Sequence, residues 1–196
     1  MKFRAMIVLA ATAMLSACGI NSVPTAEENA KARWADVQAA YQRRTDTIPN
    51  IVATVKGSAA SEGKILTDVV NARANATRVQ VNATDLTDPA KIASYQAAQT
   101  QLGASLGRLL ATVEAYPDLK SQENFRSLIT EIEGSNNRIT IAIRDYNTAV
   151  QAYNTRIRTF PDAVGAKIFY GAKPMVPFQA QPGAETNPTV DFGNTN

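Results

Sequence analysis

Apolar or small residues return at alternating three- and four-residue steps along three tracts of this chain, and that repeat restricts the fold more than any other feature. The first tract runs through Ile48, Ile51, Val55, Ser58, Glu62, Ile65, Val69, Ala72, Ala76 and Val79. The second uses Ile92, Tyr95, Gln99, Leu102, Leu106, Leu109, Val113 and Tyr116. The third uses Phe125, Ile129, Ile132, Asn136, Ile139, Ile143, Tyr146, Val150, Tyr153, Ile157 and Phe160. A seven-residue period held this long implies helices packed at a shallow left-handed angle. The expected fold is therefore all-α, an antiparallel four-helix bundle with long helices and a disordered, Pro/Gly-rich C-terminal tail.

A fourth tract, Trp34, Val37 and Tyr41, precedes the first in the same phase, with QRRTDTIPN (residues 42–50) between them. One helix running from Glu27 to Asn82 would reach about 80 Å, twice the second helix, and leave half its stripe uncovered. A reversal at residues 45–48 removes the mismatch. Arg43 and Arg44 would then sit at one helix end, Asp46 or Thr47 would cap the next helix, and Pro49 would fall in its first turn. The same corner, Arg43, Arg44, Asp46, Pro49 and Asn50, is the candidate partner-binding surface. Asp88-Pro89 reads as an N-cap followed by a first-turn proline, and Ser121 as the cap of the last long helix.

The first 17 residues combine Lys2 and Arg4 with an apolar stretch too short for a stable span and end in small residues, which marks a signal peptide. Leu15-Ser16-Ala17-Cys18 resembles the bacterial lipobox, which implies cleavage before Cys18 and acylation of that residue, palmitate among the chains. Residues 18–25 then form a lipidated tether, 26–170 the bundle and 171–196 the tail. Gly19 stands where an inner-membrane retention signal of the enteric type has Asp, so the expected destination is the outer membrane, facing the periplasm, in a Gram-negative organism. Removing the signal leaves 18 basic against 17 acidic residues in place of the formal +3 of the whole chain. That near-neutral balance offers no footprint for nucleic acid. Cys18 is the sole cysteine, so stability rests on packing rather than on disulfides.

Reactive chemistry is scarce. The chain has no histidine, which removes His-dependent triads and HExxH zinc sites. Gly57 to Lys64 lacks the spacing and preceding strand of a phosphate loop and reads as helix with tolerated glycines. Asp191-Phe192-Gly193 has no other kinase element around it. Glu131 and Glu133, two apart, point to different sides of a helix. Catalytic residues, metal and cofactor are therefore all expected to be none. Glu62, Gln99 and Asn136 lie in the seams and are read as a buried polar layer fixing helix register, with a ligand site as the sharper alternative. Tyr146-Asn147 and Tyr153-Asn154 repeat at seven, which suggests core tyrosines with satisfied hydroxyls or a recognition stripe.

QRRTDTIPNIVATVKG, EAYPDLKSQENF, EGSNNRI and YNTRIRTFP, in that order, resemble the LemA family of bacterial envelope proteins, as do CGINSVPTAEE and PGAETNPTVDF toward the ends. The resemblance implies a four-helix bundle outside the cytoplasm and transfers no catalytic residue. Many members keep an uncleaved N-terminal membrane helix where this chain has a lipobox. The function expected is a membrane-anchored, non-catalytic scaffold or adaptor for an envelope partner; the alternatives are a ligand-binding sensor or a carboxylate-dependent hydrolase.

Overall fold

The computed structural model describes residues 21–56, 63–114, 116 and 122–179. Among them the chain is all-helical: α1 Ser22–Lys56, α2 Gly63–Arg78, α3 Pro89–Glu114, α4 Glu123–Arg156 and a short α5 Asp162–Ile168. The 35 residues of α1 and the 34 of α4 make two rods of matching length, each roughly 50 Å at 1.5 Å per residue. They run antiparallel. Thr47 Oγ1, in the last third of α1, donates to the Glu131 carboxylate in the first third of α4 at 3.0 Å, and Tyr153 stands beside Glu27 and Lys31 near the start of α1. The shorter α2 and α3 complete the bundle, α3 lending Tyr95 to the buried set around Trp34 and Leu109 to the one around Ile51. Gln99 Nε2 reaches the Ala76 carbonyl at 3.5 Å, and Asn75 donates to Gln101 at 3.3 Å.

The reversal expected at residues 45–48 does not occur. α1 passes through QRRTDTIPN without a break, so Arg43, Arg44, Asp46, Pro49 and Asn50 belong to a helix interior and form no corner. Nor does one helix cover 48–79, because α1 stops at Lys56 and α2 starts at Gly63. Trp34 Nε1 donates to Val81 O at 3.0 Å and Arg73 Nε to Thr45 O at 3.0 Å, so α2 leads back along α1 and the chain changes direction between Lys56 and Gly63. The length mismatch is removed by α2 running back along α1, with no reversal at 45–48. Trp34 is buried all the same, because α4 and the segment after α5 cover it.

Pro49 is tolerated for a local reason. It has no N–H to give the carbonyl of Thr45 four residues earlier, and the Arg73 guanidinium supplies a donor to that oxygen instead. Asp88 caps α3 as expected, its carboxylate accepting from the N–H groups of Ala90 at 2.9 Å and Lys91 at 3.3 Å. Ser121 lies outside the described residues; the N-cap of α4 is Gln122, whose side chain makes no cap bond.

The buried residues form two apolar clusters stacked along the bundle. One gathers Val23, Trp34, Val37, Tyr95, Tyr146 and Phe178 at the end where α1 begins. The other gathers Ile48, Ile51, Val69, Leu102, Leu109 and Ile132 toward the opposite end. The upper cluster is closed by residues 171–179, which follow α5 as extended chain and bury Met175 and Phe178. That portion of the expected tail is extended but docked; residues 180–196 lie outside the described residues.

Candidate functional site: a buried arginine belt and a clamped segment

Between the two apolar clusters α1 carries the buried polar residues Arg44, Thr45 and Thr47, and α3 contributes Gln99. Arg44 is 6% exposed and follows Val23, Ala30 and Val37 at seven-residue steps, with Ile51 next, so it occupies a seam position. Its Nη2 donates to both the backbone carbonyl and Oε1 of Gln99 at 3.0 Å. The guanidinium lies 5.1 Å from the Tyr41 ring centroid, a cation–π distance. No carboxylate pairs with it among the described residues, and its Nε–H has no hydrogen-bond partner. Burial pulls the Arg44 pKa below its ordinary value, with the neighbouring Tyr41 and Tyr95 pulling the other way. A cleft of about 230 Å³ opens beside the belt, lined in part by Gln38, Tyr41, Thr45, Thr77, Tyr95 and Gln99.

The expected sites are thus rearranged. Gln99 is buried as expected, but it meets Arg44. Asn136 is exposed, while its neighbour Ser135 is buried, as are Ala142 and Ala149 at the following seven-residue steps. Glu62 and Cys18 lie outside the described residues. Arg43, Asp46, Pro49 and Asn50 lie on the exposed side of α1, where Asp46 accepts from Gln42 at 2.7 Å.

The second feature is carried by α4. Asn154 donates to the carbonyl of Met175 at 2.8 Å and accepts from its N–H at 2.9 Å. Asn147 treats Phe178 the same way, at 3.0 and 2.8 Å. Tyr146 donates to Val176 O at 2.9 Å and Tyr153 to Lys173 O at 3.1 Å, and Gln96 of α3 donates to Gln179 O. Val176 N–H reaches Leu86 O at 2.8 Å. Pro174 and Pro177 thus fall where no donor is required. Asn147 and Asn154 stand seven residues, about 10.5 Å, apart along α4, a distance that the three-residue step from Met175 to Phe178 spans only when the chain is extended. Both aspects of the Tyr-Asn repeat are realised: the tyrosines are core residues with bonded hydroxyls, and the asparagines read a backbone.

The LemA family model matches residues 33–192, most of the chain. The chain belongs to the LemA family. Protein LemA of Metamycoplasma hominis is 28% identical over 124 residues, 63% of this chain and 52% of that protein. Magnetosome protein MamQ 2 of Paramagnetospirillum magneticum is 36% identical over 84 residues, 43% of this chain and 30% of its own. Magnetosome protein MamQ of Magnetospirillum gryphiswaldense is 24% identical over 182 residues, 85% of this chain and 66% of its own. This LemA-family chain therefore spans between 30% and 66% of the length of these curated relatives.

Burial raises the phenol pKa values of Tyr41, Tyr95 and Tyr146; Arg44 partly opposes this at Tyr41 and Tyr95. In the unfolded chain these phenols titrate near pH ~10. Above that pH the unfolded state sheds protons that the folded state keeps, so the stability they supply is complete below pH ~10 and lost as pH rises through the higher folded values. Each retained proton costs about 1.4 kcal/mol per pH unit in that window. Urea unfolding followed by circular dichroism should show constant tyrosine-linked stability from pH 8 to 9.5 and a steep decline beyond 10. A flat profile to pH 11.5 contradicts the burial of these hydroxyls.

Proposed function

We propose that this LemA-family chain is a membrane-anchored envelope lipoprotein that acts as a non-catalytic helical scaffold or adaptor, held to the lipid surface by acylated Cys18. The observation that carries the adaptor reading is the α4 ladder, in which Tyr146, Asn147, Tyr153 and Asn154 hold an extended segment by its backbone. A helix face that grips main chain is a device for docking a polypeptide. The lipobox supports the anchor, and Gly19 supports delivery to an outer membrane where the organism has one. Two or more acyl chains give lasting attachment where one gives only marginal binding. Among the described residues no helix is long and apolar enough to cross a membrane.

Cys18→Ser is expected to abolish palmitate incorporation and release the folded domain from membranes, because the packed seams begin at Val23, beyond the anchor. Metabolic labelling with fractionation reads both. Continued labelling, or unchanged retention of the mutant by the membrane fraction, defeats the anchor assignment.

One observation favours a second reading, a sensor of a small anion. Arg44 is a buried cation without a carboxylate, beside a polar cleft. A bound anion would offset the desolvation of the guanidinium. On this reading millimolar acetate or phosphate raises the Tm of the wild type at fixed ionic strength and leaves Arg44→Met unmoved. Equal responses of the two proteins remove it.

A further inference from the structure

α5 has its amphipathicity turned outward. This seven-residue helix buries Gly165 and Ala166 against the bundle and leaves Val164 and Ile168 to solvent. Among the described residues seven large apolar side chains are exposed, and five of them fall within residues 160–170: Phe160, Val164, Ile168, Phe169 and Tyr170. Phe160 is 86% exposed, Ile168 69% and Phe169 66%. Apolar exposure gathered in one short stretch of chain is what an interaction surface requires, unlike the single exposed residues scattered over an ordinary surface. Basic residues border it. Arg156, Arg158, Lys167 and Lys173 stand in this stretch against a single acid, Asp162, which faces Arg156 at 3.8 Å.

The patch has a defined place on the bundle. α4 runs antiparallel to α1, so its Arg156 end lies level with Ser22, and Ala166 packs in the same cluster as Val23 and Ala26. Cys18 precedes Ser22 by four residues, a tether of at most about 14 Å when fully extended. An acyl anchor at Cys18 therefore brings this end of the bundle, and not the opposite one, to the lipid surface.

We infer that the end of the bundle formed by residues 158–170 is a second membrane contact, in which Phe160, Ile168 and Phe169 enter the outer part of an anionic phospholipid leaflet while Arg158 and Lys167 meet its headgroups. Aromatic and aliphatic side chains flanked by Lys and Arg are the composition that lies in a membrane interface. The contact would fix the bundle upright on the membrane, with the segment held by α4 close to the lipid and the α1–α2 reversal at the far end. It rests on the anchoring reading for its orientation, while the patch itself does not depend on the acyl chains.

With Cys18 acylated, a cysteine introduced by Phe169→Cys is the only free thiol and takes an environment-sensitive nitrobenzoxadiazole label. Val70→Cys, exposed on α2 away from this end, serves as the control. The full lipoprotein is reconstituted in vesicles of phosphatidylcholine and phosphatidylglycerol at three to one, with and without nitroxide-bearing phosphatidylcholine. The label at 169 is expected to shift to the blue and lose at least half its emission to the nitroxide, with no change at 70. An unshifted, unquenched label at 169 overturns the inference. So does a blue shift without nitroxide quenching accompanied by cross-linking of position 169 between two copies, which would make the patch a self-interface. Acylation of Cys18 is read by mass spectrometry on the same preparation, so a failed anchor appears as missing acyl mass and a failed contact as an aqueous probe. In Cys18→Ser protein, which cannot be acylated and keeps position 169 as its sole thiol, a label at 169 that is still quenched upholds the contact without the anchor.

Discussion

Trp34→Ala is expected to cost about 3 to 5 kcal/mol of folding stability, the range for emptying a large aromatic site in a core. For a domain of this size that corresponds to a fall in Tm of roughly 6 to 20 °C. The reason lies in what converges on the indole. Its ring is 5.3 Å from Tyr95, 5.4 Å from Tyr146 and 5.7 Å from Phe178, so α3, α4 and the segment after α5 all meet on this one side chain of α1. Its Nε1–H also donates to Val81 O, but Gln38 Nε2 donates to the same oxygen at 3.1 Å and would keep it satisfied. The loss should therefore come from packing, and Trp34→Phe, which keeps a ring and drops the donor, should recover more than half of it. Chemical denaturation of the two variants checks this. A cost below 1 kcal/mol for the alanine variant contradicts the convergence of these elements on Trp34.

The helical class and the antiparallel layout were legible because a heptad stripe is a property of each tract by itself. Asp88-Pro89 was legible for the same reason: an N-cap and a first-turn proline act within a few residues. The features that were misread depend on partners distant in sequence. Pro49 signals a helix start unless a donor from elsewhere serves the carbonyl it orphans, and Arg73, 28 residues beyond Thr45, is such a donor. Charge alone suits Arg44 to a helix end, but the unbroken phase from Val37 to Ile51 puts it in the seam, and that phase is the signal that outranks the proline. A step of four from Ile132 puts Asn136 in the seam, whereas α4 turns Ser135, Ala142 and Ala149, three past Ile132, Ile139 and Tyr146, into the bundle. The Tyr-Asn repeat was visible without its purpose. Its ligand is a proline-bearing stretch whose own composition reads as unstructured, and only the fold brings the two together.

That pairing yields the other large effect. The double substitution Asn147→Leu with Asn154→Leu keeps the branched heavy-atom skeleton of each side chain and removes four hydrogen bonds between α4 and the backbone of Met175 and Phe178. Leaving those part-buried N–H and C=O groups without partners costs about 1 to 3 kcal/mol apiece if the segment stays in place. Release into water is cheaper than carrying all four, so the segment should detach. Detachment uncovers Met175 and Phe178 and opens one side of the aromatic cluster around Trp34. Amide exchange is the direct reading. The Met175, Val176 and Phe178 amides, bonded to Asn154, Leu86 and Asn147, should lose protection, whereas amides of α2 and α3 packed in the lower cluster, such as those of Val69 and Leu106, should keep theirs. Persistent protection at Met175 and Phe178 would show that apolar burial alone holds the segment and that the asparagines are incidental. Loss of protection confined to the segment would establish α4 as a face that holds extended chain by its backbone. Such a face selects for conformation and for apolar side chains three residues apart more than for sequence, because its asparagines bond only main-chain groups.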